Sequence, residues 1–451
     1  MTIEMEVSSV AAGPAGLPRV LPSVPVRGLG AHDERYGPVR LRGAALVDEV
    51  ERSGLTGRGG AAFPAGRKLR SVAERSGRLG RLGRLGRPGL PGRRGAVLIA
   101  NGVESEPASA KDASLLARAP HLVLDGVALA AGAVSAEQAY LCVSLPGHAE
   151  ALSAAVAERV GRDPVPVAVT MVPERYVASE ESALVHYLNG GPAVPLLTPP
   201  RPFERGVRAR PTLVSNVETL ANVALISRYG ADWFRSLGVS SAPGSALVTI
   251  TGAVRRPGVY EIALGTPLRD VLELAGSMDA APQAVLAGGY FGSWLPASVA
   301  LNAAASAPGL RAAGASLGAG VLLVLPAGGC GLAETARVVR YLAGQSAGQC
   351  GPCLNGLPEI AAAMEQAAFG AATGRGLRAL HNLSGLVEGR GACHLPDGVA
   401  RLVASALRVF ADDVRRHQRG PCSGARGRPA FSVPSGADAP PAGPGFAADH
   451  R

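Results

Sequence analysis

The sequence predicts an N-terminal α/β domain, a small α+β middle domain and a C-terminal helical bundle, and three patterns support this order. Short apolar runs alternate with helical patterns over residues 39–237. Two apolar runs flank Pro257-Gly258 within residues 245–325, and helical patterns fill residues 333–414. Alternating strands and helices are typical of layered α/β folds, and a Pro-Gly turn between two apolar runs is typical of a hairpin.

The apolar spacing also places the individual elements. In the first domain, strands are predicted at 96–100, 139–143 and 165–172, and helices at 111–131 and 148–160. In the middle domain, strands are predicted at 246–252 and 258–262, and a helix at 267–275. In the third domain, helices are predicted at 333–342, 358–368, 376–387 and 398–414.

Three segments lack such a pattern. Residues 1–38 and 419–451 are rich in Pro, Gly and Ala, and we expect a disordered leader and a disordered tail. Residues 77–95 carry six arginines and no acid in a near-repeat of Gly-Arg-Leu, which predicts a flexible basic loop.

Composition excludes several classes of protein. No apolar run is long enough to span a membrane, and the N-terminus does not resemble a secretory signal. Six cysteines in 451 residues do not form a disulfide framework, so cytoplasmic thiols or ligands are expected. The net charge of +10 is partly local to residues 77–95, and no nucleic-acid-binding motif accompanies it. We therefore predict no nucleic-acid partner.

Three cysteines have the spacing of a metal or cluster site. Cys350 and Cys353 form a CxxC pair, and Cys393 follows forty residues later, next to His394. An iron–sulfur cluster, a zinc site with three Cys and one His, and three reduced thiols without a metal remain open. A thioredoxin-like redox motif is excluded, because the strand-to-helix turn that it needs is not predicted here.

Four further motifs carry polar groups. A Gly-rich loop at residues 54–68 ends in Lys68 and suits a phosphate, although a purely structural turn is the alternative. The other three motifs follow predicted strands, at the position where α/β sheets bind ligands: Asn101 to Pro107, Tyr176 to Glu181, and Val214 to Thr219. Each of these motifs alone is a weak signal.

Together, and in this order, the motifs over residues 54–410 resemble the flavoprotein subunit of respiratory complex I, which is the F subunit of NADH-quinone oxidoreductase. Relatives of that family occur in NAD-linked hydrogenases and formate dehydrogenases. The resemblance implies an α/β domain that binds FMN and NADH, a β-grasp (ubiquitin-like) soluble-ligand-binding domain, and a helical iron–sulfur bundle.

The resemblance also implies roles for individual residues. The FMN phosphate and ribityl chain would meet Gly57, Arg58, Gly59 and Lys68. The isoalloxazine surroundings would include Asn101, Glu104, Tyr176, Glu180, Asn216 and Thr219. The nicotinamide side would use Phe63, Glu106 and Glu181, with the two glutamates as the catalytic candidates.

The chain departs from the family pattern at Val103, Ser179 and Ser215 in the flavin pocket, at the cluster, and on the nucleotide side. Ala347 stands where the first cluster cysteine is expected, which leaves His394 or Cys330 as candidate fourth ligands. On the nucleotide side, Ser71, Thr198 and Arg201 replace two aromatic residues and a lysine of the family. The bound cluster would then be 4Fe–4S or 3Fe–4S.

Two functions follow from these observations. The first is a cytoplasmic or peripherally membrane-bound NADH dehydrogenase-like subunit, moving electrons between a nicotinamide or other donor, FMN and the cluster. It would exchange electrons with a ferredoxin-like or other iron–sulfur protein, within a larger oxidoreductase. The second is a non-catalytic or assembly subunit that keeps the fold without oxidising NADH.

Overall fold

The computed structural model describes residues 16–82, 95–276 and 281–434. These residues form the three predicted domains in the predicted order. The basic segment lies outside the described residues from 83 to 94.

In its described residues, the first domain contains eight α-helices and a parallel sheet, followed by a two-stranded ribbon. Its elements are α1 (Leu29–Tyr36), α2 (Gly43–Ser53), α3 (Ala65–Leu82), β1 (Ala96–Asn101), α4 (Lys111–Arg118), α5 (Pro120–Ala133), β2 (Ala136–Val143), α6 (Pro146–Ala157), β3 (Val167–Met171), α7 (Glu181–Leu188), β4 (Thr212–Asn216), α8 (Val217–Arg235), β5 (Gly238–Val239) and β6 (Ala242–Pro243). The α/β interpretation of this region is confirmed.

The four main strands form one parallel sheet in the order β3-β2-β1-β4. Alternate residues of β1 enter two cores: Leu98 and Ala100 pack with α5 and α8, whereas Val97 and Ile99 pack on the other face. Cys142 of β2 belongs to that second core and is fully buried. Burial raises the pKa of the Cys142 thiol to about 12, so this thiol stays protonated.

The middle domain is a five-stranded mixed sheet in the order β10-β9-β11-β7-β8. Its elements are β7 (Ser245–Gly252), β8 (Gly258–Ala263), α9 (Leu268–Leu274), β9 (Pro282–Ala287), β10 (Ser293–Pro296), α10 (Ala297–Ala300), α11 (Ala307–Ala312) and β11 (Val321–Pro326). The predicted antiparallel hairpin is β7-β8. One face of the sheet has its own core, and the other packs against the helical domain through Leu323, Leu325 and Trp294.

The helical domain follows β11 directly. Its elements are α12 (Gly331–Gly344), α13 (Leu357–Phe369), α14 (Gly374–Val387), α15 (Leu395–Val409), α16 (Ala411–His417) and α17 (Ser423–Arg426). The loops α12–α13 and α14–α15 carry the cysteine motifs. All four helices predicted here exist, and the last prediction covers both α15 and α16.

Several predictions of disorder are wrong. Helix α1 and residues 16–28 are ordered, because the main-chain amides of Arg19, Val20 and Leu21 donate to Glu261 in the middle domain at 2.9–3.0 Å. Residues 419–434 are also ordered and pack Ala425 and Phe431 into the helical core. Helix α3 continues to Leu82, into the segment expected to be a flexible loop.

The predicted helix over residues 111–131 is a pair of helices. Pro120 begins α5, and α4 and α5 meet at an angle of 97°. A proline at the first helical position is favourable there but cannot continue α4. In the described part of the chain, no single helix has the length and apolarity needed to cross a membrane, and only this bent pair meets those criteria jointly.

Candidate functional site

Two asparagines meet at the carboxyl edge of the parallel sheet. Asn101 ends β1 and Asn216 ends β4, and the two are register partners. The Asn101 amide nitrogen donates to Ser179 O at 2.8 Å, and the Asn216 side-chain oxygen accepts from the Glu218 amide at 3.0 Å, beginning α8. The sheet thus brings the predicted Asn101 and Asn216 motifs together at the edge where α/β proteins bind ligands.

The Gly-rich loop closes beside this edge. The Gly57 amide donates to Phe63 O at 2.8 Å, and Thr56 pairs with Pro64 as an isolated bridge. A Cβ on Gly59 would lie 3.4 Å from the Asn216 Cβ, so the loop lies against the end of β4. The loop then leads into the N-terminus of α3.

Three successive amides of this loop are available to a ligand. In the described part of the chain, the main-chain N–H groups of Gly59, Gly60 and Ala61 make no hydrogen bond. Gly60 has a φ of +107°, a conformation that favours glycine and turns the loop. Free amides ahead of a helix N-terminus form an anion site, so the loop fits a phosphate.

Two charged side chains from the predicted set meet next to the loop. Lys68 on the first turn of α3 pairs with Glu181, the first residue of α7. Both are partly exposed, and the Phe63 ring is half exposed. The structure therefore leaves Lys68, Glu181 and Phe63 accessible to a ligand over the loop.

Arg58 is instead occupied within the protein. Its main-chain amide donates to Thr219 Oγ1 at 2.9 Å, and its guanidinium donates to Ser245 O at 2.9 Å. Its Nε lies 3.7 Å from Glu218 Oε1, and the side chain is buried. Burial lowers the pKa of Arg58, opposed by the charge of Glu218. We therefore assign the Arg58 side chain to fixing the loop against β7.

Glu218 belongs to a buried charge network that the sequence did not reveal. Lys111 Nζ contacts Asp112 Oδ1 at 2.7 Å and Glu218 Oε2 at 3.0 Å, and Asp112 Oδ2 accepts from Asn216 at 2.7 Å. Two cations thus neutralise two carboxylates beneath the Gly-rich loop. No spacing rule links positions 58, 111, 112 and 218, although Lys-Asp at the start of a helix was a visible signal.

Two of the predicted acids cap helices. Glu104 accepts from the amides of Asp112 and Ala113 at 3.1 and 2.9 Å, at the start of α4. Glu180 accepts from the amides of Ser182 and Ala183 at 2.8 and 3.2 Å, at the start of α7. These carboxylates satisfy orphan donors at helix N-termini, so their first role is to position the loops.

Glu106 lies at the junction of the first and middle domains. Its Oε2 accepts from the Tyr176 hydroxyl at 2.8 Å and from the Tyr290 amide at 2.9 Å. A Cβ on Gly289 would come within 2.6 Å of that oxygen, so only glycine leaves room for it. The Tyr176 amide donates to Gln345 of the helical domain at 2.9 Å, which joins all three domains at this point.

Burial raises the pKa of Glu106 to about 7, against the lowering effect of its hydrogen bonds. A buried carboxyl with a pKa near neutrality can hold or release a proton under working conditions. The same shift predicts a pH dependence of stability.

We expect Glu106→Gln to flatten the stability profile between about pH 4.5 and 7. The pKa of Glu106 is higher in the folded chain than in the unfolded chain. As pH rises, the unfolded chain therefore loses this proton first. The wild type loses stability over this range until the Glu106 carboxyl of the folded chain also ionises. A shift from 4.5 to about 7 corresponds to roughly 3 kcal/mol. Thermal unfolding from pH 4.5 to 8 measures it, with Glu359→Gln, at an exposed position of α13, as control. Parallel profiles for wild type and Glu106→Gln would contradict this assignment.

The three predicted cysteines gather at one end of the helical bundle. Cys350 and Cys353 precede α13, and Cys393 precedes α15. Burial, followed by the charges of Cys350 and Cys393, raises the pKa of Cys353 to about 12. Burial raises the pKa of Cys393 too, and the nearby charge of Glu180 adds to it. The structure thus brings the cysteine site next to the Tyr176–Glu181 segment of the first domain.

The spacing of these sulfurs separates two of the open alternatives. Among the described residues, the three cysteine sulfurs do not all lie within 4.8 Å of one another. Adding a fourth His, Cys, Asp or Glu does not produce such a group either. A single zinc ion needs such closeness, whereas each thiolate of an iron–sulfur cluster binds its own iron and the sulfurs stand further apart. Three thiolates on two adjacent loops therefore fit a cluster better than one zinc ion.

Neither predicted fourth ligand faces this site. The His394 imidazole is 87% exposed and pairs with Asp397 Oδ2 at 3.1 Å. The Cys330 sulfur lies 3.5 Å from His417 Nε2 at the beginning of α12, in a separate group. Ala347 is partly buried three residues before Cys350, and it packs against the apolar core of the helical domain to which Cys353 belongs.

Comparisons with known proteins agree with this arrangement. The model of the Nuo51 FMN-binding domain matches residues 50–225, the SLBB domain matches 247–283, and the NADH-ubiquinone oxidoreductase-F iron–sulfur binding region matches 333–417. Their order is that of the three domains described above.

Two curated relatives match nearly the whole chain, and both are described as the F subunit of NADH-quinone oxidoreductase. The protein of Mycobacterium tuberculosis (strain ATCC 25618 / H37Rv) is 31% identical over 87% of this chain and 89% of its own length. That of Streptomyces coelicolor is 30% identical over 83% of both.

A solved structure has the same fold over most of the chain. A chain of the NAD+-reducing [NiFe]-hydrogenase in the H2-reduced state aligns with a TM-score of 0.73 and 30% identity, over 86% of this chain. This chain spans 64% of that hydrogenase chain.

Proposed function

The chain belongs to the family of the flavoprotein subunit of NADH-quinone oxidoreductase, and we propose that it passes electrons from NADH through FMN to an iron–sulfur cluster. One observation carries the proposal. The phosphate-fitting loop and the three-cysteine site both lie near one short segment, Tyr176 to Glu181: Lys68 beside the loop pairs with Glu181, and the Tyr176 amide donates to Gln345 at the start of the loop that carries Cys350 and Cys353. A flavin over the loop and a cluster in the bundle would be neighbours across it.

The residues of the first domain would hold the flavin and its donor. The amides of Gly59, Gly60 and Ala61 would bind a phosphate, and Lys68 would add a positive charge. Asn101, Asn216 and Thr219 would line the flavin site at the sheet edge, with Glu104, Glu180 and Arg58 fixing the loops around it. Bound FMN supplies the step from two-electron to one-electron chemistry.

We assign the nicotinamide side to Phe63, Glu106 and Glu181. Phe63 offers an exposed ring for stacking, and Glu181 stands at the loop paired with Lys68. Glu106 would hold a proton beside the site, since its pKa lies near neutrality. Its bonds to Tyr176 and Tyr290 keep the carboxylate in one place.

The cysteines would hold the electron exit. Cys350, Cys353 and Cys393 would bind a cluster with an incomplete thiolate set, as 3Fe–4S or as 4Fe–4S with one other ligand. The chain would work within a larger oxidoreductase, delivering electrons to a ferredoxin-like or other iron–sulfur protein. We further propose that the middle domain is a β-grasp domain, supported by its mixed five-stranded sheet and the SLBB match.

Lys68→Ala tests the flavin assignment. We expect FMN affinity to fall by about ten- to a hundredfold, because a charge-assisted hydrogen bond contributes roughly 1.5–3 kcal/mol. Fluorescence quenching of added FMN measures the dissociation constant. Arg67→Ala, one residue earlier on the exposed face of α3, is the matched control and should bind FMN like the wild type.

The decisive experiment for the function uses the same anaerobically purified chain. Flavin and iron are quantified, and NADH is then added while the flavin absorbance at its visible maximum is followed. NADH should bleach the flavin in the wild type and in Arg67→Ala. A folded chain that binds FMN but is not reduced by NADH would instead indicate the non-catalytic or assembly role.

A further inference from the structure

We propose that Cys330, His417 and Cys422 form a second metal site, a zinc site that is separate from the proposed cluster. In the described part of the chain, this is the one group of three His, Cys, Asp or Glu ligand atoms that lie within 4.8 Å of one another. Cys330 and His417 are fully buried, and Cys422 is partly buried. We call these three residues the Cys-His-Cys site.

The sulfur–nitrogen distance matches a tetrahedral zinc ion. With Zn–S of about 2.3 Å and Zn–N of about 2.05 Å, a sulfur and a nitrogen ligand of a tetrahedron stand roughly 3.5–3.6 Å apart. The Cys330 Sγ and His417 Nε2 are 3.5 Å apart. Two thiolates and an imidazole are soft donors that favour zinc over magnesium or calcium. Water would fill the fourth position.

The histidine is already oriented as a ligand. His417 Nδ1 lies 3.1 Å from Ala367 O, and because a carbonyl only accepts, Nδ1 carries the hydrogen. Nε2 then carries the single lone pair of the ring, which lies 3.5 Å from Cys330 Sγ and accepts from the Cys422 amide at 3.3 Å. A zinc ion would take the place of that amide hydrogen. A main-chain carbonyl that fixes the tautomer of a ligating histidine is the usual outer partner in zinc sites.

The site would fasten three separate pieces of the chain. Cys330 begins α12, His417 ends α16, and Cys422 lies in the C-terminal segment of residues 419–434. That segment is also held by the Ala430 amide on Glu334 at 2.9 Å, the Tyr290 hydroxyl on Ser432 O at 3.3 Å and the Phe431 ring beside Trp294. Binding of Zn²⁺ releases the two thiol protons and joins the segment to the bundle.

The site is tested on the full chain, purified with zinc and iron quantified together. We expect about one zinc per chain in the wild type, unchanged when Cys350 and Cys353 are both replaced by Ser. Cys422→Ser should reduce zinc to below about a tenth per chain, and Cys422→His should restore it. His381→Ala, an exposed histidine of α14, is the control and keeps the zinc.

Two further measurements distinguish a zinc site from an iron site or a disulfide. Cobalt supplied in place of zinc should give the visible absorption of a tetrahedral thiolate site, lost in Cys422→Ser. Limited proteolysis should cut residues 419–434 at least about tenfold faster after zinc removal. Absence of zinc from the wild type, iron in its place, zinc retained in Cys422→Ser, or a Cys330–Cys422 disulfide in the intact mass would each overturn the proposal.

Discussion

Replacing Lys111 by Met should lower the free energy of unfolding by about 3–5 kcal/mol. The substitution keeps the volume of the side chain but removes the ammonium that lies between Asp112 and Glu218. Both carboxylates are buried, and Arg58 reaches only Glu218, at 3.7 Å. A buried charge without a partner costs far more than a solvated one, so this is the largest stability effect we expect.

Two variants show whether the loss is electrostatic. Lys111→Met combined with Asp112→Asn removes one charge of each sign, and should recover a substantial part of the loss in urea unfolding. Arg70→Met is the exposed counterpart, since Arg70 also pairs with two acids, Glu51 and Asp48, but in solvent. It should change stability little. Equal losses for Lys111→Met and Arg70→Met would contradict the network.

The network also explains how the Gly-rich loop is positioned. Glu218 Oε1 accepts from the Leu247 amide at 2.9 Å, and the Arg58 guanidinium donates to Ser245 O. The anionic and the cationic side chain therefore both contact β7 of the middle domain. The loop is therefore supported from the middle domain as well as from the sheet. Loss of Lys111 should weaken FMN binding besides stability, because the free amides would no longer be held in one arrangement.

Regular elements were predictable because their signal is local. The apolar runs at β1 and β2, and the helical spacing of α12 to α15, each lie within a few consecutive residues. The break at Pro120 was visible in the sequence as well, but the continuous apolar pattern of α4 and α5 outweighed it. Predictions from periodicity succeed where burial follows the period of one element.

Order in residues 16–28 and 419–434 has a different origin. Val20 and Leu21 are fully buried although their neighbours are Pro, Gly and Arg, because Glu261 binds their amides from 240 residues away. Phe431 is buried against Trp294 in the same long-range manner. Composition describes only the local chain, so it cannot report partners that the fold brings from elsewhere.

The candidate site likewise combines features that the local sequence predicts with features that only long-range contacts create. The Gly-rich loop, the two asparagines and the cysteines were found as motifs with fixed spacing, and the fold brings them together. Arg58 and Glu104 were expected at the flavin, yet the structure uses their side chains to support loops. The charge network and the Cys-His-Cys site join residues that lie about 90 to 160 positions apart in the sequence. No short sequence motif therefore contains them.

Cys353→Ser should abolish the cluster while leaving the flavin in place. Cys353 is almost fully buried at the start of α13, and two remaining thiolates cannot hold a cluster of three or four irons. We expect iron and sulfide to fall to near zero and electron transfer to a one-electron protein acceptor to fall by about a hundredfold or more. Bleaching of FMN by NADH should persist, because the flavin residues are on the other domain. Cys142→Ser, a buried thiol of β2, is the control for losing a core cysteine.

Ala347→Cys makes the reverse change at the same site. Ala347 lies three residues before Cys350, in the same loop and partly buried against the core that includes Cys353, so we expect a sulfur on its Cβ to reach the site without a change of fold. We expect about four irons per chain, retained under a chelator that removes iron from the wild type, and a lower reduction potential because a thiolate donates more charge than water or imidazole. Unchanged iron content and potential in Ala347→Cys would mean that the wild-type cluster already has a complete ligand set, and that its fourth ligand comes from outside these two loops.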